Sequence, residues 1–291
     1  MKRFAVLFFS FLFIFPVYSL EWISLHEKAD RYSSASAKNI AERTNVSDDW
    51  YVFALVSLNE YKENDAEAGF NKVLALDPAS VEGRWGVAEV KRRRHEEASA
   101  KKELQDIIRM NDQFFPAYLS LAYIYFNEGN FQDTVRLMGF VLNHGREKID
   151  IDNYARAHLL FAGAKGMIAH RGGPVVKLIH GTQVLPNIKR AQKLLPNSAM
   201  AYFGLGAFYL LAPSIAGGDL DKAEEALLAA IKADPKLADA YVRLAQAYKA
   251  KGDEAKYNYY LEKALAIDPK NVLANDIKSK TCRFICIDAK E

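Results

Sequence analysis

Two stretches near the C-terminus repeat each other at a spacing that few folds accommodate. Residues 201–235, AYFGLGAFYLLAPSIAGGDLDKAEEALLAAIKADP, align on their closing Asp-Pro with AYVRLAQAYKAKGDEAKYNYYLEKALAIDP, which ends at Pro269. Tyr202 falls on Tyr241, Leu205 on Leu244, Gly206 on Ala245, Tyr209 on Tyr248, Leu227 on Leu261 and Ala230 on Ala264, and the two prolines lie 34 residues apart. Each stretch reads as a helix, a Gly-bearing turn and a second helix. Small residues at Gly206, Ala223 and Ala230 let two antiparallel helices approach closely, and Tyr209 and Leu227 fill the space between them. One such hairpin leaves its outer apolar faces uncovered, so hairpins must stack to make a continuous core.

The period, with Tyr or Trp, Leu, Gly or Ala and Tyr on the first helix and Ala and Pro closing the second, resembles the tetratricopeptide (TPR) repeat. That resemblance implies an all-α, superhelical solenoid of antiparallel helix hairpins, about five or six of them here. It also implies a curved binding surface with no built-in chemistry, so the expected protein is a binder and not an enzyme.

The chain divides accordingly. Residues 20–46, with Trp22, Leu25, Ala29, Tyr32 and Ala35 at helical spacing, read as an N-terminal capping helix. Residues 47–271 read as the solenoid. Its first repeat carries Trp50, Ala54, Ala66, Phe70 and Pro78 at the repeat positions, while in the second Asp112 stands where the proline belongs. Residues 146–197 stretch the period into an irregular long hairpin whose return carries Pro186, a residue that kinks or splits a helix. Residues 272–291 read as a C-terminal capping helix with a short apolar end at Phe284-Ile285-Cys286-Ile287.

Residues 1–19 have the charged start, short apolar run and small residues near Ser19 of a signal peptide, which predicts a periplasmic or secreted protein. The apolar run falls short of the roughly 20 residues that cross a bilayer, so no stable membrane span is expected after cleavage. Export leaves two readings for Cys282 and Cys286, the only cysteines: a local disulfide or two free thiols, either favoured over a redox site. A formal charge of +3 gives no footprint for nucleic acid, and the run Lys91-Arg92-Arg93-Arg94, surrounded by glutamates, reads as a solvated helix face. His158, His170 and His180 match no compact metal spacing, and neither a nucleophile elbow nor a phosphate loop is present, so no cofactor is expected.

Two candidate surfaces remain. The concave-facing positions of the first helices give Tyr51, Leu55, Leu58, Trp85, Leu119, Tyr123, Phe126, Met200, Phe203 and Leu210, an apolar and aromatic groove suited to a partner segment or a hydrophobic small ligand. The alternative is that the superhelix winds tightly enough to make them core. The second surface is a loop edge, Arg171, Gly172 and Gly173 in one turn and Pro213, Gly217, Gly218 and Asp219 in the next. Asp219 there is a helix N-cap in the simplest reading. The pattern Pro-x-x-x-Gly-Gly-Asp-x-x-x-Ala over 213–223 resembles the T component of TRAP transporter systems, a likeness that extends over about residues 154–269. It implies a periplasmic TPR scaffold that associates with a solute-binding protein and passes a small, apolar ligand through a pore. The chain departs from the pattern in having no lipoprotein cysteine. The runner-up reading is a periplasmic carrier that holds a small hydrophobic ligand in the groove.

Overall fold

The computed structural model describes residues 21–287, so the signal-peptide reading lies outside the described residues. Six helix hairpins follow one another: α3 (Ser47–Asn59) with α4 (Glu63–Leu76), α5 (Val81–Arg93) with α6 (Glu97–Met110), and α7 (Phe115–Asn127) with α8 (Phe131–Asn143). Next come α9 (Ile151–Arg171) with the pair α10 (Pro174–Gly181) and α11 (Val184–Leu194), α12 (Ala199–Leu211) with α13 (Leu220–Ala233), and α14 (Ala238–Ala250) with α15 (Glu254–Ile267). Two helices, α1 (Glu21–Ala29) and α2 (Ser34–Thr44), precede the hairpins, and α16 (Val272–Lys278) follows them.

The hairpins close as the small residues require. A Cβ on Gly206 would stand 2.5 Å from the Leu227 side chain, so only glycine lets α12 seat that leucine, and Ala223, Leu227 and Ala230 are fully buried. The repeat ending has an equally local cause. Asp77, Asp234 and Asp268 each follow a helix in extended conformation and accept, on Oδ1, from the backbone N–H two residues on, at 3.0, 2.9 and 3.0 Å. Asn111 makes the same turn with the Gln113 N–H at 2.9 Å, which is why the second repeat holds its shape without the proline. In the long hairpin the return splits at Thr182-Gln183, and Pro186 becomes the third residue of α11, where a helix has no use for an N–H.

The ends depart from the expected capping helices. Over 20–46 there are two helices, because Ser33 starts a new one with a capping box and the Ser34 N–H and hydroxyl bind the Glu60 carboxylate at 2.9 and 2.7 Å. This fixes α2 on the α3–α4 turn and leaves α1 to fold inward, burying Trp22, Leu25 and Ala29. At the other end α16 stops at Lys278, since Lys280, Cys282 and Ile285 occupy the left-handed region and cannot continue a helix. The Asp276 carboxylate accepts from the Arg283 and Phe284 N–H groups at 2.9 and 2.8 Å, drawing the chain back over α16. Cys282 and Cys286 form a disulfide within this non-helical loop, not along a helix face. Among the described residues no helix is long and apolar enough to cross a membrane.

Candidate functional site

The solenoid winds until its ends meet. The Tyr61 hydroxyl, in the α3–α4 turn, donates to Asp234 at the end of α13, with the Lys236 ammonium 5.1 Å over the Tyr61 ring. His95, in the α5–α6 turn, lies 3.1 Å from the Asp268 carboxylate at the end of α15. The same aspartates that end the repeats therefore join the first two hairpins to the last two, 173 residues away in each case.

Inside this ring the concave face is occupied by the chain's own termini. α1 fills the N-terminal half. Trp22 meets Phe114 edge to face at 5.5 Å, and His26 lies among Trp22, Tyr51 and Trp85, with its Nε2 2.9 Å from the Tyr51 hydroxyl. Burial lowers the His26 pKa against the opposing pull of Asp150. Tyr51, Leu55, Leu58, Trp85 and Leu119, expected to line a groove, are therefore core. The tail fills the other half: Phe284 stacks on Phe126 at 5.6 Å and meets Phe131 edge to face, and Ile287 joins the cluster of Leu210, Leu244 and Tyr248 with Phe203 at its margin. Leu210 is buried, whereas Tyr123, Phe126, Met200 and Phe203 keep partial exposure.

Between the two plugs lies a charged network in place of an apolar wall. Glu89 accepts from Arg92 Nε at 2.8 Å and Nη2 at 2.6 Å, from Arg93 Nε at 3.2 Å and from the Ser120 hydroxyl at 2.8 Å. Ser120 in turn accepts from Trp85 Nε1 at 3.0 Å, and Arg93 Nη1 donates to the Leu58 carbonyl at 2.6 Å. Burial would raise the Glu89 pKa, but the Arg92 and Arg93 charges and these bonds hold it at about 2. The basic run 91–94 is thus no solvated face: Arg92 and Arg93 turn inward, Lys91 pairs with Glu103, and Arg94 with Glu67. Its signal was Glu89, three and four residues ahead of the two arginines on one helix face.

Tyr123 carries the network across the interior. Arg92 lies 4.4 Å over its ring, and the Asp239 charge, with burial, raises its pKa. Asp239 on α14 accepts from Asn271 Nδ2 at 2.7 Å. One turn along α14, Arg243 donates to Gln246 and to the Phe284 carbonyl, and Gln246 donates to the Ile285 carbonyl at 2.8 Å. A mouth of about 130 Å³ lies between α9, α11 and α12, lined by Asp152, Arg156, Leu159, Leu195, Ser198 and Met200, and a shallower groove of about 610 Å³ runs over α6, α7 and α8 beside Tyr118, Leu121, Tyr125 and Phe140. Arg156, overlooked in the sequence, is exposed at the mouth, and its charge reaches His26, Tyr61 and Arg93.

The loop edge is built as a turn. Gly217 has φ +99°, and a Cβ on Gly218 would stand 1.8 Å from the Ala212 carbonyl oxygen. The Gly218 N–H donates to the Pro213 carbonyl at 3.0 Å, the Asp219 N–H to the Tyr209 carbonyl at 2.8 Å, and the Asp219 carboxylate caps α13 through the Asp221 and Lys222 N–H groups. Arg171, beside Gly172 and Gly173, turns to the tail: it lies 4.8 Å over Phe131 and donates to the Arg283 carbonyl at 3.0 Å. The side chain this edge leaves outside is Ile215, 99% exposed.

Residues 157–289 match the family described as TRAP transporter T-component. Among solved structures, the chain is similar to the APC/C hetero-tetramer Cut9–Hcn1, at 19% identity over 91% of this chain and 48% of that one, with a TM-score of 0.56. It is similar also to the human IFIT1 dimer with m7Gppp-AAAA, at 17% identity over 86% of this chain and 58% of that one, with a TM-score of 0.58. The chain thus spans about half the length of these two, and the likeness at such identity is one of fold. With YrrB, a TPR protein with an unusual peptide-binding site, the chain shares 21% identity over 72% of its own length and 97% of that chain, at a TM-score of 0.38. No curated protein matches the sequence. The chain is a TPR solenoid, and its C-terminal part resembles the T component of TRAP transporters.

Proposed function

We propose that this protein is an exported TPR scaffold that acts beside a periplasmic solute-binding protein, in the manner of a TRAP transporter T component. The family match over residues 157–289, which takes in the Gly-Gly-Asp loop, supports that reading. The observation that carries it is the closed interior: with α1 and the tail filling the concave face, partner recognition moves to the mouth at Arg156 and Met200, with Phe203 beside it. A charged arginine next to a flexible methionine suits a protein surface better than a buried ligand. The carrier reading needs more room than this mouth gives, since sites for small molecules measure about 300–1,000 Å³; the larger space, about 610 Å³ beside Tyr118, Leu121, Tyr125 and Phe140, is a shallow groove on α6, α7 and α8 and not the closed interior.

The test is capture from the organism's own periplasmic extract, with Arg156→Glu/Met200→Asp alongside. A stoichiometric solute-binding protein that is lost in the variant, at an unchanged melting temperature, is the expected result. A partner that the variant retains would overturn the assignment of the mouth. Absence of any partner, with an apolar molecule in the native mass spectrum, would move the function to carriage.

A further inference from the structure

Residues 153–218 contain seven Lys and Arg and no Asp or Glu, while the rest of the chain carries 32 Lys and Arg against 36 Asp and Glu. Charge this segregated is not needed for a TPR hairpin, whose other members mix both signs. Among the described residues the segment also holds the three most exposed large apolar side chains, Ile215, Val175 and Leu178. On α10, Val175 and Leu178 are 68% exposed and Ile179 is 53% exposed, at i, i+3 and i+4 on one helix face, while Val176 packs down on Gly172. Ile215 projects from the α12–α13 loop of the next hairpin, and a stack of hairpins sets its equivalent turns along one edge. Exposed basic side chains share the hairpin with this stripe: Lys177 on α10 itself, and Lys189 and Arg190 on α11.

We propose that the α9–α11 hairpin, with Ile215, is a docking surface for an anionic membrane. A short helix with a bare apolar face and cationic surroundings inserts a few side chains at the headgroup level and gains from the surface potential of acidic lipids. A second copy fits less well, because a two-fold contact would set this acid-free segment against itself. A stable protein interface needs about 800 Å² from each partner with an apolar centre, and three aliphatic side chains on a two-turn helix, with Ile215, do not supply that area.

The experiment is co-sedimentation of the full chain with vesicles of phosphatidylcholine, alone or with about one quarter phosphatidylglycerol. Alongside run Leu178→Glu/Ile179→Glu and Lys177→Glu/Lys189→Glu, all four positions being exposed and all three proteins sharing one N-terminus. The expected result is binding that requires phosphatidylglycerol, falls with salt, and weakens about tenfold or more in each variant. Equal binding by the wild type and both variants would overturn the proposal. So would failure of the wild type to bind anionic vesicles, and if the Leu178/Ile179 variant also lost a co-purifying protein, the stripe would belong to a protein partner. Vesicle binding does not use the mouth at Met200, so this proposal and the scaffold reading fail separately.

Discussion

Phe284, six residues past the last helix, stacks on Phe126 at the end of α7, with ring centroids 5.6 Å apart and planes 20° from parallel. A residue from beyond the last hairpin thereby seals the interior face of the third. The stack and the Phe131 contact are what a buried aromatic contributes, and Phe→Ala at such a site costs about 3–5 kcal/mol. In Phe284→Ala that loss falls on the tail. The amides of Arg283 and Phe284, bonded to Asp276 in the native protein, should exchange about a hundredfold faster. Unchanged exchange would mean that the Asp276, Arg243 and Gln246 bonds hold the tail without the ring.

The disulfide spans the tail residues that make these contacts, closing a loop with a sequence separation of four. A loop so short constrains the unlinked chain by about 2 kcal/mol. Cys282→Ser/Cys286→Ser, or a dithiol reductant added to the native protein, should open the tail about thirtyfold more often, read as faster exchange at Phe284 with little change in helicity. If reduction leaves that exchange untouched, the tail is held by packing and by the Asp276, Arg243 and Gln246 bonds without the disulfide.

Glu89 ties stability to acid. Its pKa lies at about 2 in the folded protein against 4.5 for an unperturbed glutamate, so its contribution is complete above pH 4.5 and is lost as pH falls from there toward 2. The shift corresponds to about 3 kcal/mol. Glu89→Gln should remove that part of the acid dependence in urea titrations. It should also cost about 3–5 kcal/mol at neutral pH, because Arg92 and Arg93 would remain buried without their partner. A variant as stable as the wild type at pH 7 would show that water reaches the two arginines.

The repeats were legible because their causes are local. Asp77, Asn111, Asp234 and Asp268 each make the same two-residue turn, and Gly206 and Leu227 sit on adjoining helices of one hairpin. The interior was not legible, because it depends on twist accumulated over six hairpins. Nothing near Tyr61 in the chain indicates that it will meet Asp234, and the concave positions Trp85 and Leu119 look the same in an open groove as under α1. The tail offered a partial sign in Phe284-Ile285-Cys286-Ile287, an apolar run too rich for a solvated end. The empty column of acids over 153–218 was readable and becomes meaningful only once α10 is seen to bare Leu178 and Ile179.

Closure of the ring should be separable from the repeats themselves. Tyr61→Phe removes the bond to Asp234 and His95→Ala the contact with Asp268, each worth about 1 kcal/mol at these partly exposed sites. The double variant should keep its helical circular dichroism and show a larger radius of gyration by small-angle scattering. An unchanged radius would assign closure to the tail, and adding Phe284→Ala should then expand the molecule.

The Gly217-Gly218 turn makes a sharper demand than any of these. A side chain on Gly218 would overlap the Ala212 carbonyl at 1.8 Å, and that carbonyl belongs to backbone that cannot move without shifting the end of α12. Gly218→Val should therefore break the Gly218–Pro213 and Asp219–Tyr209 bonds and misplace the Asp219 cap, which alone is worth about 1 kcal/mol. Asp219→Ala should cost only the cap. Comparing the two by thermal melting and by amide exchange at Asp221 and Lys222 distinguishes turn from cap: Gly218→Val should lose more stability than Asp219→Ala and release the same two amides. Equal losses would mean that the loop relaxes around the new side chain, and that Ile215 at its tip is held by the cap and not by the glycines.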